Sequence, residues 1–433
     1  MEGTPEVPET VDPLVTALLE RPADPAQLLQ LAQRHLDHRA WDAAEAVLWR
    51  AFAVVPQHLL VLSHLSATYT GRGDGETAVA LARSALAVAR PDVDGQVGSP
   101  TVLILHVAGE QPFRPGAGGV ATIPSSTNLY AFVDRSKFRV VRAYAETLYA
   151  HPAAWESVGR VDVVLSLAVD AAIHGWQLPM VQSLIDRLGV PVVNPPDRMS
   201  GLDRVSNYQR LSDIEGLEYP RVALLPKAAL TAARLEAEGF VWPVILRNSM
   251  DHFGGDAVLA ANEADVAAFR DRLPTPEAFA IQYVDNRIER PGSDPVWRRF
   301  RVAFFDGRPV PVNLHFDTGW NVHGRRRDRL MPPGSPAFEQ ERAFIEDWRR
   351  FVGPVAEAAL LEISRRTPAD YLGIDFTVMS DGRALIFEVN PAMALLTEHA
   401  GTAPHIGTSI ARYRDELTRL LLRRIENGEG TRG

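Results

Sequence analysis

A chain of 433 residues, 46% of them apolar, can bury two or three separate cores, since one domain holds roughly 100–200 residues. Its formal net charge of -9 offers no attraction to a nucleic-acid backbone or an anionic membrane, and no run approaches the ~18 apolar residues of a membrane span; neither partner is expected. Cysteine is absent, which excludes disulfides, thiolate zinc sites and a cysteine nucleophile, so any chemistry rests on oxygen and nitrogen groups.

Residues 1–12 are polar and Pro-rich, and a disordered tail is expected over 1–23. The start MEGTPEVPET is acidic where a signal peptide is basic and then apolar, which points to the cytoplasm. Residues 24–92 are Ala- and Leu-rich with helical periodicity, and they repeat: Ala44 and Ala78, Ala46 and Ala80, Ala51 and Ala85, and Ala53 and Ala87 each lie 34 residues apart, with Pro56 and Pro91 closing the two units. That period and those small residues resemble the tetratricopeptide repeat, in which paired helices pack closely. Such repeats offer a surface to a peptide or protein partner, or serve as a packing or dimerisation collar.

RPDVDGQVGSP (90–100) has the turn formers of a linker. After it TVLILHVAG, DVVLSLAVD and VPVVNP are continuous apolar runs, and the amphipathic PMVQSLIDRLG precedes the third. These predict a parallel α/β domain over 99–200, whose active-site end lies beyond the C-termini of its strands. The Gly-rich GEQPFRPGAGG after the first strand is not a dinucleotide fingerprint, because no G-x-G-x-x-G opens a helix. Beyond Gly201 the pattern becomes antiparallel, with YPRVALL, FVWPVILRNS, DAVLA, FAIQYV and FRVAFFDGRPVPVNLHF as strands and a closing helix from about Thr408 to Arg424.

IDFTVMSDGRALIFEVN predicts a hairpin turning at Ser380-Asp381-Gly382. Asp375 sits on its first strand, and Glu388 and Asn390, two residues apart, leave one face of its second. Ile374, Phe376, Leu385, Ile386, Phe387 and Val389 are apolar enough to bury the sheet, and an acid pair facing a half-buried sheet requires a positive partner. Two acids and an amide suit magnesium, which takes one or two carboxylates together with phosphate oxygens.

Asp, then Glu-x-Asn on the next strand, resembles the signature of the ATP-grasp enzymes, which include D-alanine:D-alanine ligase, glutathione synthetase and the ribosomal-protein glutamate ligase. The resemblance implies ATP and two Mg2+ ions, held by Asp375, Glu388 and Asn390. It also implies a fold that is α+β and α/β, with a small α/β domain before two α+β lobes, here 201–285 and 286–425, all preceded by the all-α repeats. Two basic residues that touch the phosphates map onto Arg204 and Arg247, where relatives commonly carry lysine. Lys137 and Lys227 are the only lysines of this chain, and guanidinium also pairs with phosphate. Gly254 and Gly255 match the loop that closes over the phosphates, although Gly-Gly between strands also makes an ordinary turn. Gln282, Tyr283 and Val284 fall on the strand that meets adenine, with Asp285 or Glu289 on the ribose and Phe387 lining the nucleotide. Arg301, or its strand-mate Arg299, matches the arginine aimed at the transferred phosphate. The first loop of the α/β domain, with Glu110 and Arg114, corresponds to one that holds the acceptor substrate. His315, Trp320, His323 and Arg325 fall where relatives cover that substrate, although Arg325 to Arg327 reads equally as a solvated run.

The expected activity is an ATP-dependent ligase that joins a carboxylate to an amine through an acyl phosphate, on amino-acid or peptide substrates. The alternatives are an ATP-grasp kinase that phosphorylates a hydroxyl and a repeat-containing adaptor that senses nucleotide. No residue names the carboxylate or the amine.

Overall fold

The computed structural model describes residues 23–108, 113–115, 121–122, 127–170, 175, 177–249, 257–290, 293–323, 326–395 and 400–429. Gly254, Gly255, Glu110 and Arg325 lie outside them. The chain divides into two compact units, one of Met1–Asp92, His106–Ser125 and Arg142–Gly159, the other of Val93–Leu105, Ser126–Val141 and Arg160–Gly433.

The first unit is built on four helices, α1 (Pro25–Asp37), α2 (Trp41–Val54), α3 (Leu59–Arg72) and α4 (Gly75–Val88). Asp24 caps α1 by accepting from the Ala26 amide at 2.9 Å, and Asp74 caps α4 by accepting from the Thr77 amide at 3.1 Å. Ala44 and Ala78, like Ala51 and Ala85, are fully buried. Ala46, Ala80, Ala53 and Ala87 are exposed. Positions 34 residues apart thus occupy matching environments on α2 and α4.

Among the described residues, three sheets lie wholly or largely in the second unit. Strands β1 (Asp92–Gly95), β2 (Thr101–His106), β3 (Arg139–Tyr144), β4 (Val163–Ser166) and β5 (Val192–Val193) form the first, in the order β1-β3-β2-β4-β5. β2, β4 and β5 are parallel, and helix α5 (Leu178–Leu188) precedes β5. Two of these strands depart from the sequence expectation. β1 lies inside the stretch expected to be a linker, because an edge strand exposed at all four residues carries no apolar pattern. β3 alternates buried and half-buried residues and was masked by its two arginines.

Helix α6 (Arg204–Leu211) and β6 (Leu217–Glu218) follow, then β7 (Val222–Pro226), β8 (Val244–Asn248), β9 (Val258–Ala260), helix α7 (Glu263–Arg272) and β10 (Glu277–Gln282). The sheet β9-β8-β10-β7 is antiparallel throughout, with α7 supplying Val266 and Phe269 to its core. The largest sheet comes last. It contains β11 (Ile288–Arg290), β12 (Ser293–Phe305), β13 (Arg308–Asp317), β14 (Tyr371–Val378) and β15 (Ala384–Asn390), in the order β11-β12-β14-β15-β6, with β13 on β12. Asp306 and Gly307, at φ 48° and 77°, turn β12 into β13, the positive-φ pair that a tight hairpin demands. Helices α8 (Pro336–Glu346) and α9 (Trp348–Arg366) cover one face, and Leu211, Ile214 and Leu217 join that same core. The closing helix α10 (Pro404–Glu429) outruns its expected bounds at both ends and buries Tyr413, Leu417, Leu420 and Leu421.

Candidate active site

The hairpin β14–β15 forms as its sequence requires, with Gly382 at φ 85° in the turn. Asp375 stands directly opposite Glu388, and Asn390 opposite Gly373, so the three oxygen-bearing side chains share one face. A bulge follows, since Phe376 pairs with Ile386 and leaves Phe387 unopposed. Gly373 is required there: a Cβ would lie 2.2 Å from Met393 Sδ and 2.6 Å from its Cβ, so only glycine lets the chain after Asn390 fold back across β14.

Two like charges directly opposite each other are destabilising unless compensated. Compensation comes from β12 and α6. Arg301 is opposite Asp375 across β12–β14 and grips it through both oxygens, Nε to Oδ1 at 2.6 Å and Nη2 to Oδ2 at 2.7 Å. Its remaining nitrogen donates to the Ala394 carbonyl at 3.0 Å. Arg299 reaches the same carboxylate at 3.4 Å. Arg204, the first residue of α6, donates to Glu388 Oε1 at 2.6 Å and to the Phe387 carbonyl at 3.2 Å. Burial pushes the Asp375 carboxyl up in pKa, but the Arg301 and Arg299 guanidinium groups outweigh it and hold the group at about 2. Arg301 moves upward for the reciprocal reason, its burial being outweighed by Asp375.

A cavity runs from this cluster into an apolar slot. Arg204, Arg247, Arg299, Asp375 and Glu388 line its charged end; Ile245, Ile281, Tyr283, Val284, Leu385 and Phe387 line the slot. Trp320, Asn321, Val322 and His323 line it from the segment after β13. The donor set of two opposed carboxylates and an amide oxygen fits a hard, oxygen-seeking cation completed by phosphate oxygens. No trio of His, Cys, Asp or Glu clusters as a metal cage among the described residues.

No family model matches the chain. No curated protein sequence matches it. Among solved structures it is similar to the D-alanine–D-alanine ligase of Bacillus anthracis, with 14% identity over 76% of this chain and 99% of that one and a TM-score of 0.47. A D-Ala:D-Ser ligase of Enterococcus faecalis has 12% identity over 75% and 99% and a TM-score of 0.45. An N5-carboxyaminoimidazole synthetase of Staphylococcus aureus, complexed with ADP, has 12% identity over 71% and 74% and a TM-score of 0.44. At these scores the likenesses assign no residue a role.

The residues singled out from the sequence are not all placed alike. Asp375, Glu388, Arg204, Arg247, Arg299, Gln282, Tyr283, Val284 and Phe387 line the cavity, while Arg301 and Asn390 adjoin it through Asp375 and the hairpin. The Gln282 amide is engaged with the Val241 backbone, accepting from its N–H at 2.9 Å and donating to its carbonyl at 2.8 Å. Asp285 and Glu289 are exposed and do not line the cavity; Asp285 pairs with Arg287 at 2.8 Å. Asn286, unnoticed in the sequence, does line it, and its buried Nδ2 has no hydrogen-bond partner among the described residues. His315 faces Arg299 across β12–β13, is buried, and is held neutral because burial and the neighbouring Arg299, Arg327 and Arg301 push its pKa well below the usual value.

Of the arginine run, Arg325 lies outside the described residues, Arg326 is exposed and Arg327 is buried. Arg326 donates to Asp317 at 2.6 Å, tying together the two ends of the cavity-lining segment. Arg327 is buried and pairs through both terminal nitrogens with Glu341, which also accepts from the Leu314 amide at 3.2 Å and is joined to His405 Nε2 at 2.8 Å. Despite its burial, hydrogen bonds from His405 and Arg327 hold the Glu341 carboxyl below its ordinary pKa. The sequence carried one signal for this anchor, because Glu341 falls on the apolar stripe of α8 between Phe338, Phe344 and Ile345.

Proposed function

We propose that this chain is an ATP-grasp ligase that joins a carboxylate to an amine at the expense of ATP. The observation that carries the reading is the opposed pair Asp375–Glu388, ringed by Arg204, Arg299 and Arg301 at the mouth of an apolar slot. The slot suits a flat base, with main-chain groups of Gln282 to Val284 along its edge, since the Gln282 side chain is already engaged. Asn286, placed in the cavity with a free donor, meets the ribose in preference to the exposed Asp285 or Glu289. For Gly254 and Gly255, outside the described residues, the proposed role is contact with the phosphates.

Asp375, Glu388 and Asn390 are the residues that would hold Mg2+, as two ions, which screens the triphosphate and the leaving group when bound. The chain's own contribution is positioning and charge. Arg204 and Arg247 fix the phosphates at the charged end. Arg299, which lines the cavity, meets the charge that spreads over the transferred phosphoryl oxygens as a substrate carboxylate oxygen attacks the γ-phosphorus and ADP leaves, while Arg301, its nitrogens taken by Asp375 and the Ala394 carbonyl, holds that carboxylate in place. Arg299 then steadies the acyl phosphate until the amine displaces phosphate, losing a proton to solvent. Arg299→Ala is expected to lower kcat about a hundredfold, the range seen when one transition-state donor is removed. The four N-terminal helices are read as a tetratricopeptide-like pair of repeats with a peptide or protein partner.

The test is a panel of carboxylates and amines assayed for ADP and phosphate release, with mass spectrometry of the product. Release that needs both substrates, yields an amide and disappears in Glu388→Ala supports the ligase. A phosphorylated product that retains its phosphate overturns it in favour of a kinase.

A further inference from the structure

The helices of the first unit carry a ligand already. Phe113 lies beyond β2 in the chain and is buried, packed among Leu62 and Ala67 of α3 and Ala82 and Ala85 of α4. Its main chain is read on both sides. The Phe113 N–H donates to Ser66 Oγ at 3.0 Å, while that hydroxyl donates to the Ala78 carbonyl at 2.7 Å, so one side chain couples α3, α4 and the seated residue. The Thr70 hydroxyl, one turn along α3, is shared between the Phe113 carbonyl at 2.7 Å and the Ser66 carbonyl at 2.9 Å. Residues Arg114–Pro115 pair with Ala121–Thr122 in a short antiparallel ladder that lies against α3.

An aromatic ring in an apolar groove, with both main-chain groups of the same residue held by hydroxyls, is a chemistry that can recognise a peptide segment. Ser66 is wholly buried, and a buried hydroxyl with no partner for its acceptor is costly. With the segment seated, the Phe113 N–H fills the acceptor side of a hydroxyl whose donor side is already given to Ala78. We propose that the α3–α4 groove is a peptide-recognition site whose ligand is the chain's own Phe113 segment, bound in cis, so that the helices serve to hold the loop that follows β2. This deepens the partner part of the reading above by naming the occupant of one helical face. Its test does not depend on any activity, so the two fail separately.

Phe113→Asp places a carboxylate among Leu62, Ala82 and Ala85 and expels the segment. A fluorescent peptide of residues 108–117 is titrated into the full chain and followed by anisotropy. The wild-type groove is occupied and effectively at high local concentration of its ligand, so the peptide binds Phe113→Asp at least tenfold more tightly than wild type. Adding Ser66→Ala and Thr70→Val abolishes that binding. Equal affinity for wild type and Phe113→Asp, with helix content unchanged by circular dichroism, overturns the proposal. Should Phe113→Asp not fold, hydrogen exchange on the wild-type chain decides: the Phe113 amide exchanges at least a hundredfold more slowly than in the free peptide, and exchange at the free-peptide rate is the contrary result.

Discussion

Asp375 concentrates the tension of the site, being a buried carboxylate gripped by Arg301 and touched by Arg299. Its folded-state pKa lies below the ordinary 3.8, at about 2. The native protein thus releases the proton more readily than the unfolded chain, and the resulting stabilisation is complete above pH 3.8 and lost as the pH falls toward 2. It amounts to about 2 kcal/mol. Asp375→Asn is expected to flatten that part of the acid limb when urea melts are compared between pH 5 and 2. An unchanged slope contradicts the account. Arg301→Ala leaves the carboxylate buried with only the longer Arg299 contact and is expected to cost on the order of 3 kcal/mol. Asp375→Asn in that background restores part of the loss, which a double-mutant cycle measures.

Single residues also mark what the sequence disclosed. Asp375, Glu388 and Asn390 were legible because a two-residue strand period and a Ser-Asp-Gly turn bring them to one face without help from distant chain. Asn286 was not, since nothing local distinguishes it from its acidic neighbours; only the sheet's course turns it into the cavity and leaves Asp285 outside.

At the scale of elements, strands with apolar runs could be read, and those defined by their neighbours could not. β2, β4, β14 and β15 carry buried runs of their own. β1 is a fully exposed edge strand, recognisable only once β3 lies beside it. The segment between β13 and α8 looked solvated because the partner of Arg327 is fourteen residues on, inside α8. That segment is held at both ends, by Asp317–Arg326 and Arg327–Glu341. Glu341→Ala leaves Arg327 enclosed without its carboxylate and is expected to cost about 3–5 kcal/mol. Replacing both, with Arg327→Met and Glu341→Leu, is expected to recover part of that loss, since the apolar pair carries no ion desolvation penalty while the Leu314 amide and His405 still lose their acceptor. Chemical denaturation checks both; equal losses in the single and paired variants would count against a buried ion pair. Gly373→Ala forces Met393 aside and with it the Ala394 carbonyl that Arg301 holds. A loss of about 1–3 kcal/mol is expected, and thermal melting tests it.

For the molecule as a whole, two of the sheets share a core, while the sheet β9-β8-β10-β7 has a core of its own. The first sheet's Val102, Ile104, Val163 and Leu165 lie in one cluster with Phe305 and Tyr371 of the largest sheet, with Met393 beyond its last strand and with α10. No helix among the described residues is long and apolar enough to cross a membrane. The opposed carboxylates, their arginine partners and the apolar slot belong to this one unit, which is what a site for a metal–triphosphate complex requires. Calorimetric titration of a non-hydrolysable ATP analogue into the full chain, with Mg2+ and with chelator, tests that claim most directly. The account predicts saturable one-site binding that weakens at least tenfold in chelator and in Asp375→Ala with Glu388→Ala. Binding of equal strength in all of these, or no heat beyond dilution with Mg2+ present, contradicts it.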